Sequence, residues 1–258
     1  MRWKLSANTA RSKASGLQYG GSPAVTRWAE ADMTQFLKFT SRNAEKRKHD
    51  KLNHIMSFEI DRRWRKTAVS RIIDKDRKLE ILDVACGTGD FSIEIARKAK
   101  QGSHITGVDI SAGMLEIGNK KVEENGLSGT IQLEQGDCEH LRFTDATFDR
   151  VSVAFGVRNF ENLEAGLKEM RRVLKSGGKA VILELSVPEN RFLLALYKIY
   201  AFKILPAIGG AISGNKGAYE YLPASVLKFP GQEKFKNIMS GCGFRNIKTR
   251  SFTFGECI

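Results

Sequence analysis

Residues 81–90, Ile-Leu-Asp-Val-Ala-Cys-Gly-Thr-Gly-Asp, pass from an apolar run through a Gly-x-Gly turn into a helical stretch over 90–100. A second β-branched run follows over 104–110 and closes on Asp109. A strand, a glycine turn, a helix and a second strand ending in an acid make the nucleotide-binding half of a doubly wound α/β fold. In such a unit the turn admits a ligand close to the backbone, and the acid holds a ribose.

The turn also restricts which nucleotide is expected. A dinucleotide fingerprint needs a third glycine three residues after Gly89, and Ser92 stands there. The form Asp83-x-x-x-Gly87-x-Gly89 suits a smaller nucleoside carrying an amine and a carboxylate, a description that matches S-adenosylmethionine. Gly87, Thr88 and Gly89 are then expected under the methionine part. There, backbone N–H groups and the start of the next helix favour a carboxylate. Thr88 is expected to cap that helix as well as touch the ligand. Asp109 is expected to accept from both ribose hydroxyls, the alternative being a cap for a helix starting at Ala112. A Gly-x-Gly alone occurs in many turns, so the flanking strands and Asp109 carry the reading.

Further along, strands and helices alternate. Strands are predicted at 81–85, 105–109, 130–135, 148–154 and 179–185, with helices at 90–100, 112–125 and 162–175 between them. Ser176-Gly177-Gly178 reads as a turn after the third of these helices. The strands are near-continuous apolar runs, as expected when helices cover both faces of a parallel sheet. Ahead of them, Leu52, Ile55, Met56, Ile60, Trp64, Ala68 and Ile72 step at helical spacing, predicting a helix over 50–74. Behind them come a helix-rich stretch over 190–228, a helix over 232–242 stopped by Gly243, and a last strand over 244–254. Residues 1–40 lack periodicity and read as a poorly ordered leader before a single domain over 41–258.

Composition narrows the setting. Cys86, Cys138, Cys242 and Cys257 show neither metal-type nor disulfide-type spacing, and the four histidines are scattered. This fits a reduced, cytoplasmic chain with no metal centre. The net charge is +13, and residues 1–80 hold 19 Lys/Arg against 9 Asp/Glu. A basic front suits RNA, an anionic membrane surface or simple solvation. Residues 192–212 are apolar, but Lys198, Lys203, Pro206 and Gly209-Gly210 interrupt them, so an amphipathic helix and a loop are expected and not a membrane span.

Ligands in such sheets sit at the carboxyl ends of the strands. The polar residues at those ends belong to specific motifs. They include Gly136-Asp-Cys-Glu139, Phe155-Gly-Val-Arg-Asn159, Glu169-Met-Arg-Arg-Val-Leu-Lys-Ser-Gly-Gly178 and Leu183-Glu-Leu-Ser186. With Asp50-Lys-Leu-Asn-His-Ile-Met-Ser57, Asp61-Arg-Arg-Trp-Arg65 and Tyr221-Leu-Pro-Ala-Ser-Val226, the chain resembles the ubiquinone/menaquinone biosynthesis C-methyltransferase family over residues 50–258. Phe-Gly-Val-Arg-Asn is the specific element; the glycine turn marks only the class I S-adenosylmethionine-dependent methyltransferases. His49 stands where the family usually has Tyr, residues 35–48 match poorly, and the chain stops early in the usual terminal hairpin.

The resemblance implies a Rossmann-like, mostly parallel sheet of the seven-stranded type, a helical amino-terminal lid and a helical insertion after strand five. It implies a polyprenyl quinol substrate, S-adenosylmethionine as methyl donor, and contact with an anionic membrane at the inner face. A homodimer stays open. Asp137 is expected to accept the adenine amine and Cys138 to offer its backbone N–H to the ring. Arg158 and Asn159 are expected at the reacting hydroxyl. Because arginine stays protonated, Arg158 is assigned to stabilising a developing phenolate and not to taking its proton. Water or His54 is the expected proton acceptor, and a salt bridge to Glu161 or Glu184 is the competing reading of Arg158. RNA methylation is the rival function. It lacks an Asn-Pro-Pro-Tyr motif, paired catalytic cysteines and an RNA-binding module, so no nucleic-acid partner is expected. A cofactor-binding relative without activity is the third reading.

Overall fold

The computed structural model describes residues 59–186, 191–199, 225–252 and 256–257. Within them, helix α1 (Glu59–Ile72) leads into strand β1 (Glu80–Val84), helix α2 (Asp90–Ala96), β2 (His104–Asp109), α3 (Ala112–Glu124), β3 (Ile131–Gln135) and β4 (Phe148–Ala154). A 3₁₀ turn (Val157–Asn159), α4 (Leu163–Val173), β5 (Leu174–Leu183), α5 (Arg191–Ile199), α6 (Gln232–Gly241), β6 (Ser251–Phe252) and β7 (Glu256–Cys257) follow.

Strands β1 to β5 form one parallel sheet in the order β3-β2-β1-β4-β5, so strand order reverses between β1 and β4. Side chains alternate across it, as a period of two requires. Leu82, Val84, Val108, Val151, Val153 and Ile182 face one core with Leu167, Met170 and Val173 of α4 and Phe235 and Met239 of α6. Ile81, Ile105, Ile131, Val181 and Leu183 face the other, with Val69 and Ile72 of α1 and Phe91 and Ile95 of α2. Both faces are thereby covered, and this is why successive residues are buried at Ile81-Leu82 of β1 and Val181-Ile182-Leu183 of β5.

Local chemistry sets the helix starts. Ser111 caps α3 by accepting from the Met114 N–H, and Asn162 caps α4 by accepting from Ala165 at 3.0 Å. Arg150, buried in β4, donates from Nε to the carbonyl of Ile72 at 3.0 Å and so satisfies the carboxyl end of α1.

Two predicted elements change. Strand β5 starts at Leu174, directly after α4, and the expected Ser176–Gly178 turn lies inside it. Leu174 pairs with Phe148 and Lys179 with Arg150, so five steps on β5 match two on β4. The surplus residues bulge, with Gly177 at φ 72°. The strand expected over 244–254 reduces to Ser251–Phe252, paired antiparallel with Glu256–Cys257 in a separate two-stranded sheet. Among the described residues the main sheet therefore has five strands. His54, the Asp50–Ser57 and Tyr221–Ala224 motif residues and residues 200–212 lie outside the described residues.

Candidate active site

The parallel sheet brings the carboxyl ends of β1, β2, β3 and β4 to one rim, at the point where strand order reverses. Immediately beyond β1, Ala85 has φ 52°, Gly87 φ 57° and Gly89 φ 74°. The two glycines take a left-handed backbone without a Cβ penalty, and Ala85 is held there against one. The Gly87 N–H donates to Oδ2 of Asp109 at 2.8 Å, and the Gly89 N–H donates to the Cys86 carbonyl at 2.9 Å. Two of the turn's amides are thus committed to the protein itself, which sequence reasoning did not foresee.

Asp109 is buried, with Oδ1 accepting the Ser111 N–H at 2.9 Å. Burial pushes its carboxyl above the ordinary range, opposed by the Ser111 and Gly87 amides. It does not cap α3, since Ser111 does. Each oxygen accepts one of these bonds, and a carboxylate offers about four acceptor positions, so capacity remains for ligand hydroxyls.

Thr88 departs from its expected capping role. The cap of α2 is Gly89, which has no side-chain cap bond. The Thr88 hydroxyl instead donates to Asp90 at 3.1 Å and accepts from Lys121 at 3.0 Å, while Lys121 also pairs with Asp90 at 2.9 Å. A threonine hydroxyl between an acid and a lysine is better satisfied there than at frayed helix amides.

Beneath the turn sits Asp83, wholly buried on β1. Ser92 donates to its Oδ2 at 2.6 Å and Ser152 to its Oδ1 at 3.0 Å. Burial raises its pKa to about 6, against those two hydrogen bonds. The serine that breaks the dinucleotide fingerprint is therefore the partner of the motif's own acid.

After β3, Asp137 turns its carboxylate on its own loop, accepting from the Glu139 N–H at 2.8 Å and meeting His140 Nδ1 at 3.2 Å. Cys138 is half-buried, and burial, with Asp137 and Glu139 nearby, pushes its thiol up to about 12, so it stays a neutral thiol. Glu139, which the sequence did not single out, accepts the Asn162 N–H at 2.7 Å and ties this loop to the one after β4.

In the loop after β4, Phe155 lies at φ 59°, a second strained non-glycine at a strand end. Gly156 follows, and a Cβ there would stand 2.6 Å from the Ala85 Cβ. Only glycine lets this loop pack on the turn after β1. Val157 is fully buried as the loop's anchor. The Arg158 N–H donates to Glu184 Oε2 at 3.0 Å, and its Nη1 donates to the Phe155 carbonyl at 2.8 Å and to Glu184 Oε1. Asn159 is exposed at the end of the 3₁₀ turn. The salt bridge named as the competing reading of Arg158 therefore forms, and its acid is Glu184. The rim thus brings together Gly87, Thr88, Gly89, Asp109, Arg158 and Asn159, with Asp137 and Cys138 joined to them through Glu139.

Residues 41–258 match the ubiE/COQ5 methyltransferase family. The chain belongs to this family. It is 48% identical over 208 residues to the ubiquinone/menaquinone biosynthesis C-methyltransferase UbiE of Geobacter sulfurreducens, covering 81% of this chain and 80% of that one. To the demethylmenaquinone methyltransferase of Bacteroides fragilis it is 44% identical over 209 residues, covering 81% and 84%. The fold is similar to that of a putative S-adenosylmethionine-dependent methyltransferase from Methanococcus maripaludis. The TM-score is 0.54 at 17% identity, covering 94% of this chain and 95% of that one. The family membership makes this chain a methyltransferase. Phe155–Asn159, on which the resemblance in sequence most depends, is the loop that packs on the glycine turn.

Proposed function

We propose that the chain transfers a methyl group from S-adenosylmethionine to a ring carbon of a demethylated polyprenyl quinol, a step of menaquinone or ubiquinone biosynthesis. The observation that carries this is the contact of Gly156 with Ala85, which sets the Arg158 loop directly beside the glycine turn. The rim fits the cofactor: Gly87 and Gly89 hold left-handed conformations, and Asp109 keeps acceptor capacity. Gly87, Thr88 and Gly89 would lie under the methionine part, Asp109 at the ribose, and Asp137 and Cys138 at the adenine. S-adenosylmethionine, when bound, supplies an electrophilic methyl group to a carbon nucleophile.

The protein's work is alignment, exclusion of water and charge stabilisation. A hydroquinol ring carbon becomes nucleophilic as its hydroxyl proton passes to water. Once the carbon has taken the methyl group from the sulfonium, which leaves as the neutral thioether, it gives up its ring proton and the aromatic ring is restored. Arg158, fixed by Glu184 and the Phe155 carbonyl, stabilises the oxyanion that develops, and Asn159 donates to the same oxygen. No helix among the described residues is long and apolar enough to cross a membrane. Helix α5 instead exposes Phe192 and Ile199 beside exposed Lys198, a face suited to transient contact with anionic lipid, from which a polyprenyl substrate is reached.

The test is incubation of the full chain with methyl-labelled S-adenosylmethionine and a reduced short-chain demethylmenaquinol. Label on the quinol ring, lost in Arg158→Ala, is expected. Cofactor binding with no labelled ring would overturn the quinol reading.

A further inference from the structure

Glu184 stands just past β5 and is 1% exposed. Three N–H groups surround its carboxylate. Oε2 accepts the backbone N–H of Arg158 at 3.0 Å, while Oε1 accepts that of Leu185 at 2.8 Å and Nη1 of Arg158. The pair is almost wholly enclosed, at 8% and 2% side-chain exposure. The Nε–H of Arg158 is also buried, yet it has no hydrogen-bond partner among the described residues. One end of the guanidinium is thus clamped by Glu184 and the Phe155 carbonyl, while a charged donor is left unspent. Buried charged donors are normally satisfied, so an unspent one at a rim is what a ligand oxygen would complete.

We propose that Glu184 is a positioning residue for methyl transfer: it holds the Arg158 guanidinium in the one orientation that leaves Nε for the acceptor oxygen. Three donors already occupy its carboxylate, so Glu184 itself is not the group assigned the hydroxyl proton. It acts twice on the same residue, through backbone and side chain, so arginine and loop are set together. The assignment rests on Arg158 acting at the reacting hydroxyl.

The experiment compares Glu184→Gln, Arg158→Ala and the double variant with the parent chain, using methyl-labelled S-adenosylmethionine and a short-chain demethylmenaquinol from pH 6.5 to 9.5. A glutamine amide turned toward Nη1 sets donor against donor and releases the guanidinium. Glu184→Gln is expected to lower kcat about 100-fold at pH 7, as for the loss of one oxyanion donor, with cofactor Kd within about 3-fold of the parent. The deficit should shrink toward pH 9.5, where the quinol ionises unaided. The double variant should be no slower than Arg158→Ala, because both changes remove one device. Glu184→Asp, which keeps the charge one methylene short, should recover part of kcat, and it decides the matter if Glu184→Gln does not fold. A deficit independent of pH, or additive losses, would overturn the proposal. Unchanged turnover in Arg158→Ala would overturn the role of Arg158 itself, a separate failure.

Discussion

Gly87 and Asp109, 22 residues apart, are joined by a 2.8 Å hydrogen bond from the glycine amide to the acid's Oδ2. The bond ties the turn after β1 to the end of β2, joining the two segments proposed to hold the methionine part and the ribose. Asp109→Asn keeps the size but can accept with only one of its two former oxygens. It is expected to weaken S-adenosylmethionine binding about 10- to 100-fold, measured by calorimetry, with the folded state retained. An unchanged Kd would remove Asp109 from the site.

Gly156 and Ala85 meet where β1 and β4 end. Gly156→Ala places a methyl 2.6 Å from the Ala85 Cβ and 3.1 Å from Val153 Cγ2, and should cost about 1–3 kcal/mol in urea unfolding. Ala85→Gly removes that Cβ and relaxes a left-handed alanine. The double variant should therefore recover more stability than the single effects sum to. Additive effects would show that the two loops do not touch.

The buried Asp83 makes stability depend on pH. Burial raises its pKa from 3.8 to about 6. Below the unfolded value the carboxyl is protonated in both states and contributes no difference. Between the two values only the folded chain keeps the proton, so stability falls as pH rises. Above pH 6 both states are ionised and the full penalty, about 3 kcal/mol, is present. Asp83→Asn escapes it. Its melting temperature relative to the parent should climb from pH 4 to pH 7, and a flat difference would refute the buried charge.

Arg172 gathers one side of the molecule. Its guanidinium donates to the carbonyls of Leu141 and Phe143, to Asp145 and to both oxygens of Glu169. Lysine supplies only three donors from one atom. Arg172→Lys should destabilise the fold by about 1–3 kcal/mol in urea unfolding while leaving cofactor affinity within about 2-fold.

Phe192 is 70% exposed on α5. Phe192→Ser should reduce cosedimentation with vesicles of anionic lipid several-fold without altering turnover of a water-soluble short-chain quinol. Equal cosedimentation would leave the membrane contact to another surface.

Much of this was legible in the order of residues. The run 148–154 coincides with β4 because Phe148, Val151 and Val153, two of them β-branched, stand between polar turns. The polar residues among them find partners in the fold, Arg150 at the Ile72 carbonyl and Ser152 at Asp83. The bulge in β5 was hidden because Ser-Gly-Gly looks the same whether it ends a helix or interrupts a ladder. The capping role of Thr88 was misjudged because Lys121, which its hydroxyl meets instead, lies 33 residues away. The left-handed backbones of Ala85 and Phe155 left no trace, since neither is glycine. Arg158 was found by resemblance, but its choice between Glu161 and Glu184 waited on which acid the chain returns to it.

Because all five strands of the main sheet point the same way, their amino ends share the opposite rim, where residues 75–78, 101–102 and 128–129 are exposed. None of the proposed site residues lies there, and a side chain at Gly129 would meet open space. That edge is the natural handle of the molecule: a fusion partner or surface tether attached at Ser128-Gly129 leaves the reacting side facing outward.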